Sequence, residues 1–167
     1  AVWTYSYSSA YGPSGVSPTG GSVVLSPTGA RTTFLLDSSL RVGWKVAPEG
    51  YTVTYGYDAN NRKVREIMPY GDVVSLTLND FSQPLTNTDP LCNITTYGYD
   101  GSNNLTSIQD ALGNINTMAY DGNRRMITRQ DPLNRVTSYA WNSDGTLQAV
   151  TDPRGLKTTH TYDSKGN

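Results

Sequence analysis

Carboxylates are the side chains of this chain best placed to do chemistry. Asp89, Asp110, Asp131 and Asp152 recur at a fixed separation, and a second Asx series follows at Asp37, Asp58, Asn79, Asp100, Asp121, Asn142 and Asp163. Two carboxylates held close together can serve as general acid and base. Runs such as Asp100-Gly101-Ser102-Asn103 and Asn142-Ser143-Asp144-Gly145 offer oxygen ligands to calcium. The spacing favours a plainer reading. An Asx side chain bonds the backbone two residues on, so a carboxylate repeated at every turn is turn chemistry, and neither run matches a complete calcium loop. His160 is the only histidine; it has no Ser or Cys neighbour in a triad-like motif, and its place in an aromatic column predicts a packed position. Cys92 is the only cysteine, permits neither an internal disulfide nor a thiolate metal site, and reads as a small apolar residue rather than a nucleophile. Asn93-Ile94-Thr95 and Asn104-Leu105-Thr106 match the glycosylation acceptor pattern, a frequent match in chains rich in Asn and Thr. The expectation is a non-enzyme with no catalytic residues, no metal site and no cofactor.

The spacing itself carries more information than the residue types. Pro27, Pro48, Pro69, Pro90, Pro132 and Pro153 fall on every twenty-first position, interrupted only by Ala111. Two places on from each slot stand Gly29, Gly50, Gly71, Cys92, Gly113, Asn134 and Gly155. Nine places on stand Leu36, Tyr57, Leu78, Tyr99, Tyr120, Trp141 and Tyr162, each followed by Asp or Asn. A fixed period near twenty residues marks a small unit copied and stacked.

Composition agrees with such an array. Of the 167 residues 36% are hydrophobic and only 16% charged, and 12 Tyr stand against 2 Phe, so most of the aromatic bulk carries a hydroxyl that needs a partner. The mixture suits short strands and tight turns better than helices. A net charge of −1, without a basic block beyond Arg124-Arg125, gives no electrostatic support to a nucleic-acid surface. No apolar run approaches the roughly 20 residues that cross a bilayer, and Ala1 to Ala10 lacks the character of a signal peptide.

Within each repeat the residues alternate with period two, the signature of a strand. Positions five, seven and nine are bulky, as in Val53-Tyr55-Tyr57 and Thr137-Tyr139-Trp141. Position six is hydroxylated throughout (Thr33, Thr54, Ser75, Thr96, Thr117, Ser138, Thr159), and position eight is mostly small. The strand therefore has a bulky side and a slim side. An Asx turn follows, then a weaker strand such as Leu105-Thr106-Ser107-Ile108 or Leu147-Gln148-Ala149-Val150, then the proline turn. Cys92 breaks the glycine column, so its turn must be strained or of another type.

These patterns predict an all-β chain of consecutive antiparallel hairpins, with prolines at one edge and Asx turns at the other. Residues 1–26 fit the array badly and read as an irregular segment: Trp3-Thr4-Tyr5-Ser6-Tyr7 ends an earlier strand, a loop holds Pro13 and Pro18, and Val23-Val24-Leu25 leads into the first regular turn. Residues 27–167 make about six and a half repeats, roughly 13 strands, read as cut at both ends from a longer chain. A flat sheet that wide is uncommon, so curvature into a ribbon or spiral is expected.

Asp152-Pro153-Arg154-Gly155 and Thr158-Thr159-His160-Thr161-Tyr162-Asp163-Ser164-Lys165-Gly166 resemble the Rhs or YD repeat, with its Asp-Pro-x-Gly turn, its Tyr-Asp pair and its closing Gly. The resemblance spans about residues 27–167; Leu36, Leu78 and Trp141 depart from the Tyr column, and several repeats lack the Gly-Arg-Leu that follows Tyr-Asp. The family includes bacterial Rhs proteins, polymorphic toxins, toxin-complex subunits, wall-associated proteins and the teneurin shell. The resemblance implies a hairpin ribbon wound into a hollow β-shell that encloses or presents a toxin or effector domain, in a bacterial protein that is secreted or at the cell surface. Its implied partners are the remaining repeats of the same polypeptide and the enclosed effector, with no nucleic acid and no membrane insertion by this segment. Asp152-Pro153-Arg154-Gly155-Leu156 resembles part of the closing motif of self-cleaving shells, but it runs on into a Tyr-Asp repeat and reads as an internal turn.

The alternative is an extracellular adhesin whose aromatic columns bind glycans or a receptor, repeats supplying avidity. The position of those columns decides between the two. Rings that are buried, or that line the enclosed face, favour the wall; an exposed outer stripe favours the adhesin. The sequence places the bulk of burial on the Tyr face and expects the hydroxyl column to be the open one.

Overall fold

The structure, a computed structural model, describes residues 4–8, 20–25 and 29–163. The chain forms two compact units, Ala1–Cys92 and Asn93–Asn167. The first holds β1 (Thr4–Ser8), β2 (Gly20–Leu25), β3 (Arg31–Leu36), β4 (Val42–Val46), β5 (Thr52–Tyr57), β6 (Lys63–Ile67), β7 (Val73–Leu78) and β8 (Pro84–Thr88). The second holds β9 (Ile94–Tyr99), β10 (Leu105–Gln109), β11 (Ile115–Tyr120), β12 (Met126–Gln130), β13 (Val136–Trp141), β14 (Leu147–Thr151) and β15 (Lys157–Thr159). Within each unit every strand pairs antiparallel with the next in sequence, a meander with no crossover. All regular structure among the described residues is β.

The periodicity carries straight into the fold. First strands of the repeats begin at Arg31, Thr52, Val73, Ile94, Ile115, Val136 and Lys157, and second strands at Val42, Lys63, Pro84, Leu105, Met126 and Leu147, each set spaced by the sequence period. β3 to β15 supply the thirteen strands expected. Both strand ends anticipated before the first regular repeat are present, as β1 and β2, which pair with each other. The loop with Pro13 and Pro18, together with Trp3, Ser26, Pro27, Thr28 and Ser164 to Asn167, lies outside the described residues.

One turn geometry serves both edges. At the Asx edge the Leu40 N–H donates to the Asp37 carbonyl at 3.0 Å and the Asp37 N–H to the Arg41 carbonyl at 2.8 Å. At the proline edge the Gly50 N–H donates to the Ala47 carbonyl at 2.9 Å and the Ala47 N–H to the Tyr51 carbonyl at 2.8 Å. This is a type I turn closed by a residue in the left-handed region. That residue is Leu40, Asn61, Ser82, Asn103, Arg124 or Gly145 at one edge, and at the other a Gly, Cys92 or Asn134. Of the two outcomes expected for Cys92, strain is the one found. Its φ is 64°, and its N–H makes the same bond to the Asp89 carbonyl, at 3.0 Å, as the glycines make. Gly113 shows why glycine is preferred there: a Cβ would meet nothing closer than 4.0 Å, so φ alone selects the residue.

A second repeated device left no trace in the alternation. In each Asx hairpin the register slips by one residue on the second strand. Leu35 faces Trp44 while Leu36 faces Val42, Ala119 faces Thr128 while Tyr120 faces Met126, and Ala140 faces Ala149 while Trp141 faces Leu147. The bulged residues are Gly43, Val64, Leu85, Thr106, Ile127 and Gln148. A bulge of this kind bends its strand and increases local twist. The small residues at position eight answer to it. A Cβ on Gly56 would sit 3.0 Å from the Cβ of Arg65, and one on Gly98 would collide with the hydroxyl of Ser107.

The two faces do not divide burial as the alternation suggests. Met118, on the bulky face of β11, is buried beside an open Thr117, as expected. Leu35, Trp44 and Ala149 are also buried, yet they stand in cross-strand register with the hydroxyl column: Trp44 faces both Leu35 and Thr54, and Ala149 faces both Ala140 and Thr159. Position eight is Leu in β3, and the second strand of that hairpin contributes a Trp to the same side, so the slim side is locally the fuller one. The hydroxyl column stands in register with residues of the intervening strands. Thr117 sits between Ser107 and Gln130, and Ser138 between Thr128 and Thr151.

Candidate functional site

Most of the recurring carboxylates are engaged by their own turns. Oδ1 of Asp121 accepts the backbone N–H groups of Asn123 and Arg125 at 2.9 Å, and Oδ2 accepts Nε of Arg125 at 2.8 Å and pairs with its Nη2 at 2.7 Å. Asp37 with Arg41 and Asp58 with Arg62 repeat the arrangement, and Asn104 takes the arginine's place opposite Asp100. At the proline edge Asp110 binds Asn114 and Asp131 binds Arg135 in the same way. Where the turn opens with Asn the polarity reverses: Nδ2 of Asn79 donates to Oε1 of Gln83, and Nδ2 of Asn142 to the hydroxyl of Thr146. At these turns the residue four places after the Asx is a matched donor or acceptor, a pairing visible in the sequence once the bond is known and overlooked without it; Asp152 has Leu156 there and pairs with Arg154 instead.

This environment decides what the carboxylates can do. The Arg125 backbone N–H and then its guanidinium hold Asp121 below the ordinary carboxyl value, and the Asn104 amide followed by its backbone N–H does the same for Asp100. Groups held as anions and saturated by N–H donors are poor general acids, and their oxygens are turned to the turn rather than to a cation. Asp144 likewise spends Oδ1 on the Thr146 N–H and hydroxyl. Among the described residues no three His, Cys, Asp or Glu gather as a cation would need, and no helix is long and apolar enough to cross a membrane.

A second set of contacts runs from one hairpin to the next. The Tyr57 hydroxyl donates to the Val42 carbonyl at 2.8 Å, the Tyr120 hydroxyl to the Leu105 carbonyl at 2.9 Å, and the Tyr162 hydroxyl to the Leu147 carbonyl at 2.9 Å. Each reaches back fifteen residues to the first residue of a bulged strand. Trp141, a departure from the Tyr column in sequence, makes the same bond through its indole N–H, to the Met126 carbonyl at 2.8 Å. Leu36 and Leu78 have no donor to offer. Arginine reaches forward in the same places. Nη1 of Arg62 donates to the Asn79 carbonyl and Nη1 of Arg125 to the Asn142 carbonyl, while the guanidinium of Arg41 lies 4.5 Å from the ring centroid of Tyr57 and that of Arg125 5.8 Å from Trp141. A guanidinium over an aromatic face adds cation–π attraction to the hydrogen bond. Tyr57, Tyr99, Tyr120 and Trp141 are half-buried, and Tyr162 is exposed.

The other sequence candidates lie apart. His160 is exposed, not packed as its column suggested, because β15 ends at Thr159 and no described strand lies along its outer side; its backbone N–H still bonds the Gln148 carbonyl. Cys92 is exposed on its turn. Of the two acceptor triplets, Asn93 is exposed and Asn104 is tied to Asp100.

Comparison with known proteins meets this geometry at two levels. The family model described as RHS Repeat matches residues 141–167, which begin at Trp141 and take in the Asp152 turn and the Tyr162-Asp163 pair. The fold is similar to a mutant Tc holotoxin pore of Photorhabdus luminescens (TM-score 0.62, 17% identity) over 92% of this chain and 10% of that one. It is also similar to TcdB2-TccC3 without its hypervariable C-terminal region (TM-score 0.61, 15% identity) over 90% of this chain and 10% of that one. A TcdB2-TccC3-TEV structure gives a TM-score of 0.60 at 15% identity, over 94% of this chain and 10% of that one. No curated protein matches. Residues 141–167 carry the Rhs repeat, the chain has the all-β hairpin fold that the resemblance implied, and it spans about a tenth of the length of the solved structures it matches.

Two outcomes follow from the contacts. Tyr120→Phe removes only the hydroxyl and is expected to lower unfolding free energy by about 1 kcal/mol, whereas Leu78→Tyr supplies a donor and raises it by up to about 1 kcal/mol; denaturant titration of both checks the pair. Asp37, Asp58, Asp100, Asp110, Asp121, Asp131, Asp144 and Asp152 all have folded values below the ordinary 3.8. A depressed folded value means their contribution is present above the unfolded value and lost as pH falls through the folded one. Tm is therefore expected to hold between about pH 7 and pH 5 and to fall progressively below about pH 4, with a shallower fall in Asp121→Asn.

Proposed function

We propose that this segment is a non-catalytic structural stretch of an Rhs/YD-repeat wall, part of a β-shell that encloses or presents an effector or toxin domain. One observation carries the reading: the polar ends of the aromatic column are spent on the wall itself, hairpin to hairpin, at Tyr57, Tyr120, Trp141 and Tyr162. Rings that brace their own sheet are building material. The carboxylates serve the same end, since each closes a turn. The similarity to toxin-complex structures, and the small share of them that this chain covers, support a place within a longer polypeptide. The remaining repeats and the enclosed domain are then its partners. Secretion or surface location, in a bacterium, follows from the same reading.

A binding role keeps one specific support. At the proline edge of the first unit the rings of Tyr51 and Tyr70 lie 5.8 Å apart, and Tyr70 is 82% exposed. Two open rings suit the apolar face of a sugar, so an adhesin that takes glycans there is the second reading.

Limited proteolysis of the full polypeptide separates the two. On the wall reading the C-terminal domain resists protease in the wild type and becomes sensitive when Tyr120 and Trp141 are both replaced by Ala, while Tyr70→Ala changes nothing. Loss of glycan-array binding in Tyr70→Ala, with unchanged protease resistance in the double variant, would select the adhesin.

A further inference from the structure

The bulky face of the second unit holds a charge that neither the wall nor the adhesin reading uses. The strands of this unit contain two charged residues: Lys157 opens β15, and Arg129 stands inside β12. The carboxylates lie outside the strands, and those of Asp100, Asp110, Asp121, Asp131, Asp144 and Asp152 accept backbone N–H groups of their own turns. Arg129 faces Met118 across the hairpin, and among the described residues its guanidinium has no ion pair or hydrogen bond. The fold does not require a charge there. One repeat earlier and one repeat later the same position is Ile108 and Val150.

Arg129 lines an open cup of about 260 Å³ between β10 and β12. Ile108, Met118, Tyr120 and Met126 form its apolar walls, and Asn116 is its other polar side chain. Met118 is buried and Arg129 exposed, so the cup has an apolar floor and a cationic rim. The Tyr120 hydroxyl is already spent on the Leu105 carbonyl. The Asn116 carboxamide, like the guanidinium, has no partner among the described residues. Two free donor groups beside a hydrocarbon floor match one ligand chemistry, a carboxylate carried next to a large apolar group. A guanidinium takes a carboxylate through two parallel N–H bonds, and methionine side chains repack around varied apolar shapes.

Size decides between a small acid and a chain. The cup takes one large side chain, and an acid that small, held alone on an open face, binds in about the millimolar range. A polypeptide gains further contacts, because Tyr97 and Tyr139 continue the same face on either side, in register with Ile108 and Val150. We propose that this cup binds a polypeptide segment in which Asp or Glu adjoins a large apolar residue. The apolar side chain rests on Met118 and Met126, and the carboxylate is held by Arg129 and Asn116.

Methyl NMR of methionine-labelled protein tests this. The chain has three methionines, of which Met118 and Met126 line the cup and Met68 serves as internal control. The probes are the acetylated and amidated peptide Gly-Ser-Phe-Asp-Phe-Ser-Gly, the same peptide with Asn in place of Asp, and N-acetylphenylalanine. The acidic peptide is expected to shift Met118 and Met126 saturably and to leave Met68 in place. The Asn peptide should bind about tenfold more weakly, and N-acetylphenylalanine only in about the millimolar range. Arg129→Gln should reduce the acidic peptide to the affinity of its Asn counterpart and leave the latter unchanged. Because Arg129 is exposed, the variant should keep the β spectrum of the wild type. Equal affinity of the two peptides for the wild type, an Arg129→Gln chain that still prefers the acidic one, or shifts that reach Met68 equally would each overturn the proposal. N-acetylphenylalanine bound as tightly as the acidic peptide would make the cup a site for small acids and overturn it as well.

Discussion

A sheet with almost no interior has to be held by something other than a core. Among residues 29–163 only Leu35, Trp44, Met118 and Ala149 are buried apolar side chains, and no polar side chain is buried. Domains ordinarily pack two layers around one core, and hydrophobic burial is ordinarily the dominant favourable contribution. Here that contribution is thin, and the repeat substitutes a lattice of short polar contacts. Each Asx turn is closed by a carboxylate or amide, and at Tyr57, Tyr120, Trp141 and Tyr162 one hairpin is pinned to its neighbour by a side-chain donor that reaches back fifteen residues. The bond from Tyr120 to Leu105 and the reach of Arg125 to Asn142 are two halves of one device.

That constraint explains the composition. A ring at position nine supplies a donor at its far end as well as bulk, as at Tyr57, Tyr120 and Tyr162. Trp141 keeps its column because an indole N–H reaches the same carbonyl that a phenol would. Asp and Asn alternate in the turn column with Arg, Asn, Gln or Thr four places on because each pair must match a donor to an acceptor. Exposed pairs of this kind are individually weak, and their stabilising effect comes from repetition and from their direct bonds to the backbone.

The sequence made the strands and turns legible because their causes are local. Alternation places side chains on two faces, Pro presets φ, and Gly or Asn accepts a left-handed backbone, so β5, β11 and their turns follow from residues a few positions apart. Even Cys92 is legible as an anomaly. The bulges were hidden because Gly43, Val64, Leu85, Thr106, Ile127 and Gln148 share no chemistry; they are imposed by the turn and register rather than chosen by residue type. The weight of burial was misread in the first unit for a related reason. A bulge changes which residues of the second strand join a face, and Trp44 joined Leu35 on the side that the first strand alone marks as slim. The inter-hairpin bond was invisible because its acceptor is a backbone carbonyl, which no residue type announces.

The claim that side-chain donors lock one hairpin to the next is tested most directly at Trp141, whose indole N–H can be followed by itself. Proton exchange of that N–H, measured by NMR at neutral pH, is expected to be at least tenfold slower than in a free indole, with a resonance shifted by its carbonyl partner. Exchange at the free rate, in a chain that retains its β spectrum, would show that the hairpins stand together without this bond and would contradict the account.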